Sequence, residues 1–199
     1  ILQLVNQLMD IRKIDKGQMS LMFKKAEIVS FTRDLLESFE QQTRVKKLDL
    51  KFHTSAPEIE MWIDPKNFDK IILNLLSNAC KFTPENGQVE ISLSTGEDTH
   101  LPQNAPLRRY VELTVADSGI GIASTEREHI FERFYQIRNS QNNSNIGTGI
   151  GLHLTRSLVE LHYGNIHVED NGEGRPGSRF IIRLPLGNGH LKKEEIEEA

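Results

Sequence analysis

The segment between residues 65 and 82, PKNFDKIILNLLSNACKF, constrains the fold more than any other part of the sequence. Its apolar residues recur at steps of three and four, which predicts an amphipathic helix with Asp64 as N-cap and Pro65 at the first helical position. The predicted buried face consists of Phe68, Ile72, Leu75, Leu76, Ala79 and Phe82. The opposite face collects Asn67, Lys70, Asn74, Asn78 and Lys81. Such a helix packs on one side and presents amides and ammonium groups on the other.

The remaining pattern mixes strands and helices without regular alternation. Strand-like segments read LDLKFH, EMWID, QVEISLST, RRYVELTVAD, NIHVED and SRFIIRLPL, and helices are predicted at roughly 28–43, near 124–130 and at about 149–163. The polar segment 96–107 between two of these strands is predicted to be a long exposed hairpin loop, for which we assign no function. The predicted fold class is α/β, a two-layer sandwich of helices on one face of a mixed, mostly antiparallel sheet.

Charge and composition disfavour several functions. The 199 residues carry a net charge of −4, which argues against a general nucleic-acid binder. The one cysteine, Cys80, excludes an internal disulfide, and we interpret it as a small packing residue rather than a nucleophile. No apolar run reaches the length of a membrane span. A single soluble-type domain with an appendage is therefore expected.

Asp117 stands at the end of an apolar strand, in the motif ADSGIGI. A carboxylate at the inner end of such a strand is costly unless it is hydrogen-bonded. One interpretation is a local turn cap of the kind that aspartate forms with following backbone N–H groups. The other is an acceptor for an exocyclic amine, such as that of adenine, with Gly119 and Gly121 shaping the pocket.

A second glycine-bearing segment, GTGIGL, places Gly147, Gly149 and Gly151 directly before a predicted helix. Small residues let backbone N–H groups approach an anion at a helix N-terminus, although many helices simply begin after glycine. The hydrophilic stretch RNSQNNSNIGTG at 138–149 is predicted to be a mobile lid. The sequence lacks GxxxxGK[ST], and it lacks GxGxxG after a first strand, so it matches neither a P-loop nor a dinucleotide-binding protein.

These glycine loops suggest that the polar face of the helix binds a nucleotide. An asparagine carbonyl is a weak Mg²⁺ ligand by itself, because Mg²⁺ prefers carboxylates, water and substrate phosphates. A site that offers Asn78 would therefore bind its metal together with a nucleotide. Lys81, one turn further along, would meet the phosphate charge.

Taken together, these motifs resemble those of a known family. NLLSNACKFTP, DSGIGI, FERFYQ, GTGIGL and GSRFIIRLP are similar, in order and spacing, to the N, G1, F and G2 boxes and the terminal strand of sensor histidine kinases. The resemblance covers about residues 25–186 and implies a GHKL-type ATP-binding domain.

The resemblance also implies a division of the chain. Residues 1–16, with a heptad seam of Ile1, Leu4, Leu8 and Ile11, resemble the end of the second dimerisation and phosphotransfer helix. Residues 17–27 are expected to be a linker, 28–186 the catalytic domain, and 187–199 a linker of the kind that leads to a receiver domain in hybrid kinases.

Site residues are carried over where the motifs match. The resemblance implies catalytic roles for Asn78, Lys81 and Arg133, with Asn78 as the Mg²⁺ ligand. The implied nucleotide-binding residues are Asn74, Asn78, Lys81, Phe82, Asp117, Gly119, Gly121, Ile122, Phe134, Gly147, Thr148, Gly149, Gly151 and Leu152.

The implied function is to bind Mg-ATP and donate its γ-phosphate to a histidine in two-component signalling. None of the seven histidines has the acceptor pattern, so the acceptor helix is expected to lie outside this chain, which we interpret as a fragment. Expected partners are that helix, a second copy in the full-length protein and a response-regulator receiver domain. The expected location is cytoplasmic, in a membrane-anchored sensor. The alternative is a non-catalytic nucleotide-binding module of a degenerate sensor kinase.

Overall fold

Five strands form the main sheet of the computed structural model, which describes residues 1–137 and 147–197. In chain order the elements are α1 (Leu2–Asp15), β1 (Lys24–Glu27), α2 (Ile28–Glu37), α3 (Glu40–Val45), β2 (Asp49–Thr54), β3 (Glu60–Ile63), α4 (Pro65–Phe82), β4 (Gln88–Glu97), β5 (Arg109–Asp117), α5 (Gly151–Leu161), β6 (Asn165–Asp170) and β7 (Ser178–Pro185). The sheet order is β2–β4–β5–β7–β6, and β1 pairs with β3 in a separate two-stranded sheet. Only the β2–β4 pair of the main sheet is parallel.

The alternation of buried and half-exposed residues along β4 and β5 makes this a two-layer structure. Val89 and Ile91 on β4 and Leu113 and Val115 on β5 are almost inaccessible and join one core with the apolar faces of α2, α4 and α5. The predicted fold class is confirmed. The register brings Val89 opposite Asp117, so the strand-end aspartate lies beside the start of β4.

Helix α4 begins as predicted, because the Asp64 carboxylate accepts the Lys66 N–H at 3.1 Å. Phe82 was expected on the buried face, and that expectation is wrong: its exposed fraction is 40%. Phe82 is the last helical residue, and the fully buried Thr83 turns the chain into the core instead, donating its hydroxyl to the Ala79 oxygen at 2.6 Å.

The helix predicted at 28–43 is two helices. The first ends at Glu37, and the Ser38 hydroxyl donates to the Leu35 oxygen at 2.6 Å. Phe39 lies between the helices and is buried, so the chain bends there to place its ring in the core.

The other two predicted helices are shorter than expected. The segment near 124–130 consists of turns followed by a 3₁₀ turn at His129–Phe131. The helix predicted at 149–163 spans Gly151–Leu161, because Gly149 and Tyr163 have φ angles of +70° and +63° that no right-handed helix accommodates.

Helix α1 divides its predicted heptad seam between two environments. Ile11 is buried and Leu4 half-buried against the domain, whereas Ile1 and Leu8 are exposed. Within the described ranges, none of the helices is long and apolar enough to cross a membrane.

The segment after β7, predicted to be a linker, contacts the domain. The Phe23 N–H donates to the Glu195 oxygen at 2.6 Å, and Phe23 and Ile196 form a parallel bridge beside β1. The Tyr163 hydroxyl donates to the Glu195 carboxylate at 2.7 Å. The domain limits of the sequence analysis remain predictions, and residues up to 197 pack on the rest of the structure.

Candidate functional site

The polar face of α4 begins with side chains that have structural partners. Asn67 donates to the N-cap carboxylate of Asp64 at 3.2 Å. Lys70 donates to Asp10 of α1 at 2.9 Å and to the Asn67 oxygen at 3.3 Å. These contacts fasten α1 to α4, so this part of the face is engaged in packing.

Asn74 links α4 to the second glycine loop. Its amide nitrogen donates to the Gly151 oxygen at 3.0 Å and to the Thr155 hydroxyl at 3.1 Å. A β-carbon added at Gly151 would lie only 3.3 Å from the Asn74 amide oxygen. On the other side, Gln7 of α1 donates to that oxygen at 3.5 Å. Asn74 therefore positions the loop, and its amide is already engaged.

Asn78 and Lys81 occupy the next turns of the same face. The Asn78 side chain is half-buried, and within residues 1–137 and 147–197 it makes no hydrogen bond. The Lys81 ammonium is 5.2 Å from the Phe82 ring centroid, and burial lowers the pKa of Lys81. A β-carbon at Gly147 would lie 3.0 Å from the same ammonium, which shows how closely the second glycine loop approaches it.

Asp117 is buried, and both of its carboxylate oxygens have donors. Oδ1 accepts the Gly119 N–H at 2.9 Å, and Oδ2 accepts the Ser178 hydroxyl at 3.0 Å. Burial raises the pKa of Asp117, and the hydrogen bonds from Gly119 and Ser178 oppose that rise. Both interpretations of the motif thus meet here: Asp117 caps its own turn, and each oxygen keeps a further lone pair for a ligand amine.

The first glycine loop touches the end of α4. A β-carbon at Gly119 would lie 2.5 Å from the main-chain oxygen of Phe82, so only glycine permits this approach. Gly121 has a φ of +76° and faces the main chain of Gly177. Ile122 is half-buried against the core.

Three residues that support Asp117 were missed from the sequence. Asn171 donates to the main-chain oxygens of Asp117 at 2.7 Å and of Pro176 at 2.8 Å. Gly177 has a φ of +98°, and a β-carbon there would overlap the Asp117 oxygen. The third is Ser178, described above. The only signal was the turn NGEGRPGS, whose contact with Asp117 depends on the pairing of β5 with β7.

The second glycine loop packs on the segment that precedes it. The Phe134 N–H donates to the Gly149 oxygen at 2.9 Å, and a β-carbon at Gly149 would lie 2.7 Å from the Phe134 carbonyl carbon. Thr148 is exposed and its hydroxyl accepts the Ile150 N–H at 3.4 Å, while Leu152 is half-buried. The Phe134 ring is 67% exposed. The predicted lid residues 138–146 lie outside the described residues.

Arg133 bonds to elements other than α4. Its guanidinium forms an ion pair with Asp15 of α1 and donates to His153 Nε2 at 3.0 Å. His153 in turn contacts the Phe131 main-chain oxygen through Nδ1 at 3.1 Å. The described structure thus connects Arg133 to α1 and α5, and its proposed catalytic role stays a prediction.

The donor set fits a metal only in company with a nucleotide. Among the described residues, no group of three His, Cys, Asp or Glu side chains could hold a metal ion. The Asn78 amide is a single neutral oxygen ligand, and Mg²⁺ commonly completes such a shell with substrate phosphates and water.

Two separated glycine motifs therefore converge along one helix. Gly119 abuts the main chain of Phe82, Gly147 approaches the Lys81 ammonium, and Gly151 contacts Asn74. A buried carboxylate, two glycine loops and a lysine beside an amide define a GHKL-type ATPase domain.

Comparison with known proteins agrees with this class. Residues 63–188 match the family described as histidine kinase-, DNA gyrase B- and HSP90-like ATPases, and the chain belongs to that family. Histidine kinase P4 of Formosa agariphila is 33% identical over 98% of this chain, and sensor histidine kinase TmoS of Ectopseudomonas mendocina is 37% identical over 94%. The chain spans only 14% and 18% of those two proteins.

A solved structure supports the same fold. Full-length ShkA in complex with AMPPNP superposes with a TM-score of 0.73 at 26% identity, covering 94% of this chain and 36% of that one. The predicted resemblance to sensor histidine kinases is confirmed, since the domain belongs to the histidine kinase-like ATPases and its relatives named above are histidine kinases.

Proposed function

We propose that this domain binds Mg-ATP and donates its γ-phosphate to a histidine on a dimerisation helix that the chain does not include. The convergence of both glycine loops on the Asn74–Phe82 part of α4 is the observation that carries the proposal. None of the seven histidines lies on α1.

Each side chain has a defined part in this proposal. Asp117 accepts a hydrogen bond from the adenine amine, and Lys81 neutralises phosphate charge. Asn78 would hold Mg²⁺, which when bound neutralises charge on the β- and γ-phosphates. Phosphoryl transfer asks mainly for positioning, so the backbone of the Gly147–Gly151 loop has the task of orienting the triphosphate.

The surface of α1 supports dimerisation of the parent protein. Apolar side chains remain exposed along it at Ile1, Leu2, Val5, Leu8 and Met9. We infer that a second copy covers them and that a response-regulator receiver domain accepts the phosphoryl group. We also infer that this domain belongs to the cytoplasmic part of a membrane-anchored sensor.

Titration calorimetry with Mg-ATP and Mg-GTP tests the binding step. The wild-type domain is expected to bind ATP with about −5 to −8 kcal/mol and GTP hardly at all. Asn78→Ala should lose the Mg²⁺-dependent part of the affinity. Asn67→Ala, which alters the same helix face at a structural contact, is the matched control and should bind as wild type does.

Phosphoryl transfer is tested by adding γ-labelled ATP together with a protein that contains the parent's dimerisation helices. Acid-labile, base-stable label on the added histidine supports the kinase assignment. ATP binding without such transfer favours a non-catalytic nucleotide-binding module of a degenerate sensor kinase. An absence of ATP binding would contradict both.

A further inference from the structure

Lys46, outside every motif discussed above, reaches the end of α4. It is the residue that follows α3, and its side chain is half-buried. Its ammonium donates to the main-chain oxygen of Cys80 at 2.7 Å and to that of Lys81 at 3.0 Å. These are two of the four carbonyls that the last turn of an α-helix leaves without intrahelical partners.

The Ala79 carbonyl of this turn is also engaged. The Ala79 oxygen accepts both the N–H and the hydroxyl of Thr83, at 3.0 Å and 2.6 Å. The Phe82 oxygen faces Gly119 of the first glycine loop. Lys46 therefore caps two of the carbonyls of this turn, and its positive charge complements the negative end of the helix.

We propose that Lys46 is a positioning residue for nucleotide binding and acts through Lys81. Its two hydrogen bonds hold the main chain of the turn from which the Lys81 side chain projects beside Gly147. Without them the last turn frays, and the Lys81 ammonium no longer has a fixed place to meet phosphate. This inference rests on the proposed function, since it concerns the same nucleotide site.

A matched control lies next to it in the sequence. Lys47 carries the same charge, but its side chain is exposed and makes no hydrogen bond or ion pair within the described ranges 1–137 and 147–197. Lys47→Met therefore removes one positive charge from nearly the same place without disturbing α4. Comparing Lys47→Met with Lys46→Met distinguishes a positioning role of Lys46 from a general electrostatic attraction for ATP.

The first measurement is a double-mutant cycle on Mg-ATP affinity by calorimetry. Lys46→Met should raise the Kd about tenfold, Lys46→Arg should restore most of the affinity, and Lys47→Met should leave it within about twofold. In the Lys81→Met background, Lys46→Met should have no further effect, because a residue that acts through another is non-additive with it. An equal loss in both backgrounds, or no loss at all, would overturn the proposal.

The second measurement needs no nucleotide. Amide hydrogen exchange at Lys81, Phe82 and Thr83 should be faster in Lys46→Met than in wild type and unchanged in Lys47→Met. If wild-type protein fails to bind ATP, the proposed function falls, and this exchange still decides the positioning claim. Unchanged exchange in Lys46→Met overturns the inference whatever the binding data show.

Discussion

The substitution Asp117→Asn should weaken adenine recognition while leaving the local fold intact. Asp117 Oδ1 accepts the Gly119 N–H and Oδ2 accepts the Ser178 hydroxyl, at 2.9 Å and 3.0 Å. An asparagine can keep its oxygen toward Gly119 and turn its amide nitrogen toward Ser178, whose hydroxyl accepts as well as donates. ATP then loses a hydrogen bond, because the asparagine amide nitrogen and the adenine amine are both donors.

The expected loss of ATP affinity follows from the negative charge of the Asp117 carboxylate. A hydrogen bond to a charged group contributes about 1.5–3 kcal/mol, so the Kd for Mg-ATP should rise about 10- to 150-fold. Inosine triphosphate, which carries an oxygen in place of the adenine amine, should bind the Asp117→Asn variant at least as well as it binds wild type. Calorimetry with ATP and inosine triphosphate measures how the substitution changes the ratio of the two affinities.

The same substitution should also change how the stability of the protein depends on pH. Burial raises the pKa of Asp117, so its contribution to stability is fully present below the unfolded pKa of about 3.9 and is lost as pH rises through the folded pKa. The amide of Asp117→Asn does not ionise. At pH 7 the variant should therefore melt no lower than wild type, and its relative stability should decrease as the pH approaches 4.

Two results would refute this reasoning. A folded Asp117→Asn protein with wild-type affinity for Mg-ATP would show that the carboxylate does not contact adenine. A variant that melts well below wild type at neutral pH would show that asparagine cannot replace the two hydrogen bonds. Thermal melts recorded alongside the titrations distinguish the two cases.

Three further changes test the scaffold. Gly177→Ala should lower the unfolding free energy by about 3 kcal/mol or more, since its β-carbon would overlap the Asp117 oxygen, whereas Gly172→Ala, at φ +92° in open space, should cost only about 1 kcal/mol. Equal losses in urea unfolding would contradict this. Burial lowers the pKa of His162, so its contribution to stability is present above about pH 6.5 and lost on acidification, and His162→Gln should flatten that part of the thermal-melting pH profile. At Glu27, burial alone would raise the pKa, but backbone N–H groups hold it at about 2. Glu27→Gln should therefore cost about 1 kcal/mol at pH 7, and the cost should vanish in unfolding titrations near pH 2.

Features that depend on local chemistry could be predicted from the sequence. The N-cap at Asp64, the start of α4 at Pro65 and the alternation of β5 depend on neighbouring residues and on the periods of helix and strand. The order of the glycine motifs sufficed to indicate the family. Local patterns were enough because each of these features is set within one element.

Features that depend on the assembled sheet could not be predicted. Asn171 and Gly177 meet Asp117 only because β7 lies between β5 and β6. The exposure of Phe82 depends on how Thr83 enters the core. Lys46, directly after α3, contacts Cys80 of α4, 34 residues away in sequence, and no periodicity reveals such a contact.

The polar face of α4 shows why a correct pattern still left roles unassigned. Amphipathicity predicted one continuous polar stripe, yet in the structure successive turns of that stripe contact different elements. Lys70 pairs with α1 and Asn74 bonds to α5, so their polarity stabilises the packing of helices around the site. Asn78 and Lys81 lie beyond those contacts, and the Lys81 ammonium is close to Gly147 of the second glycine loop. A stripe that serves packing at one end and a ligand at the other looks uniform in sequence, because amides and ammonium groups satisfy either demand equally well.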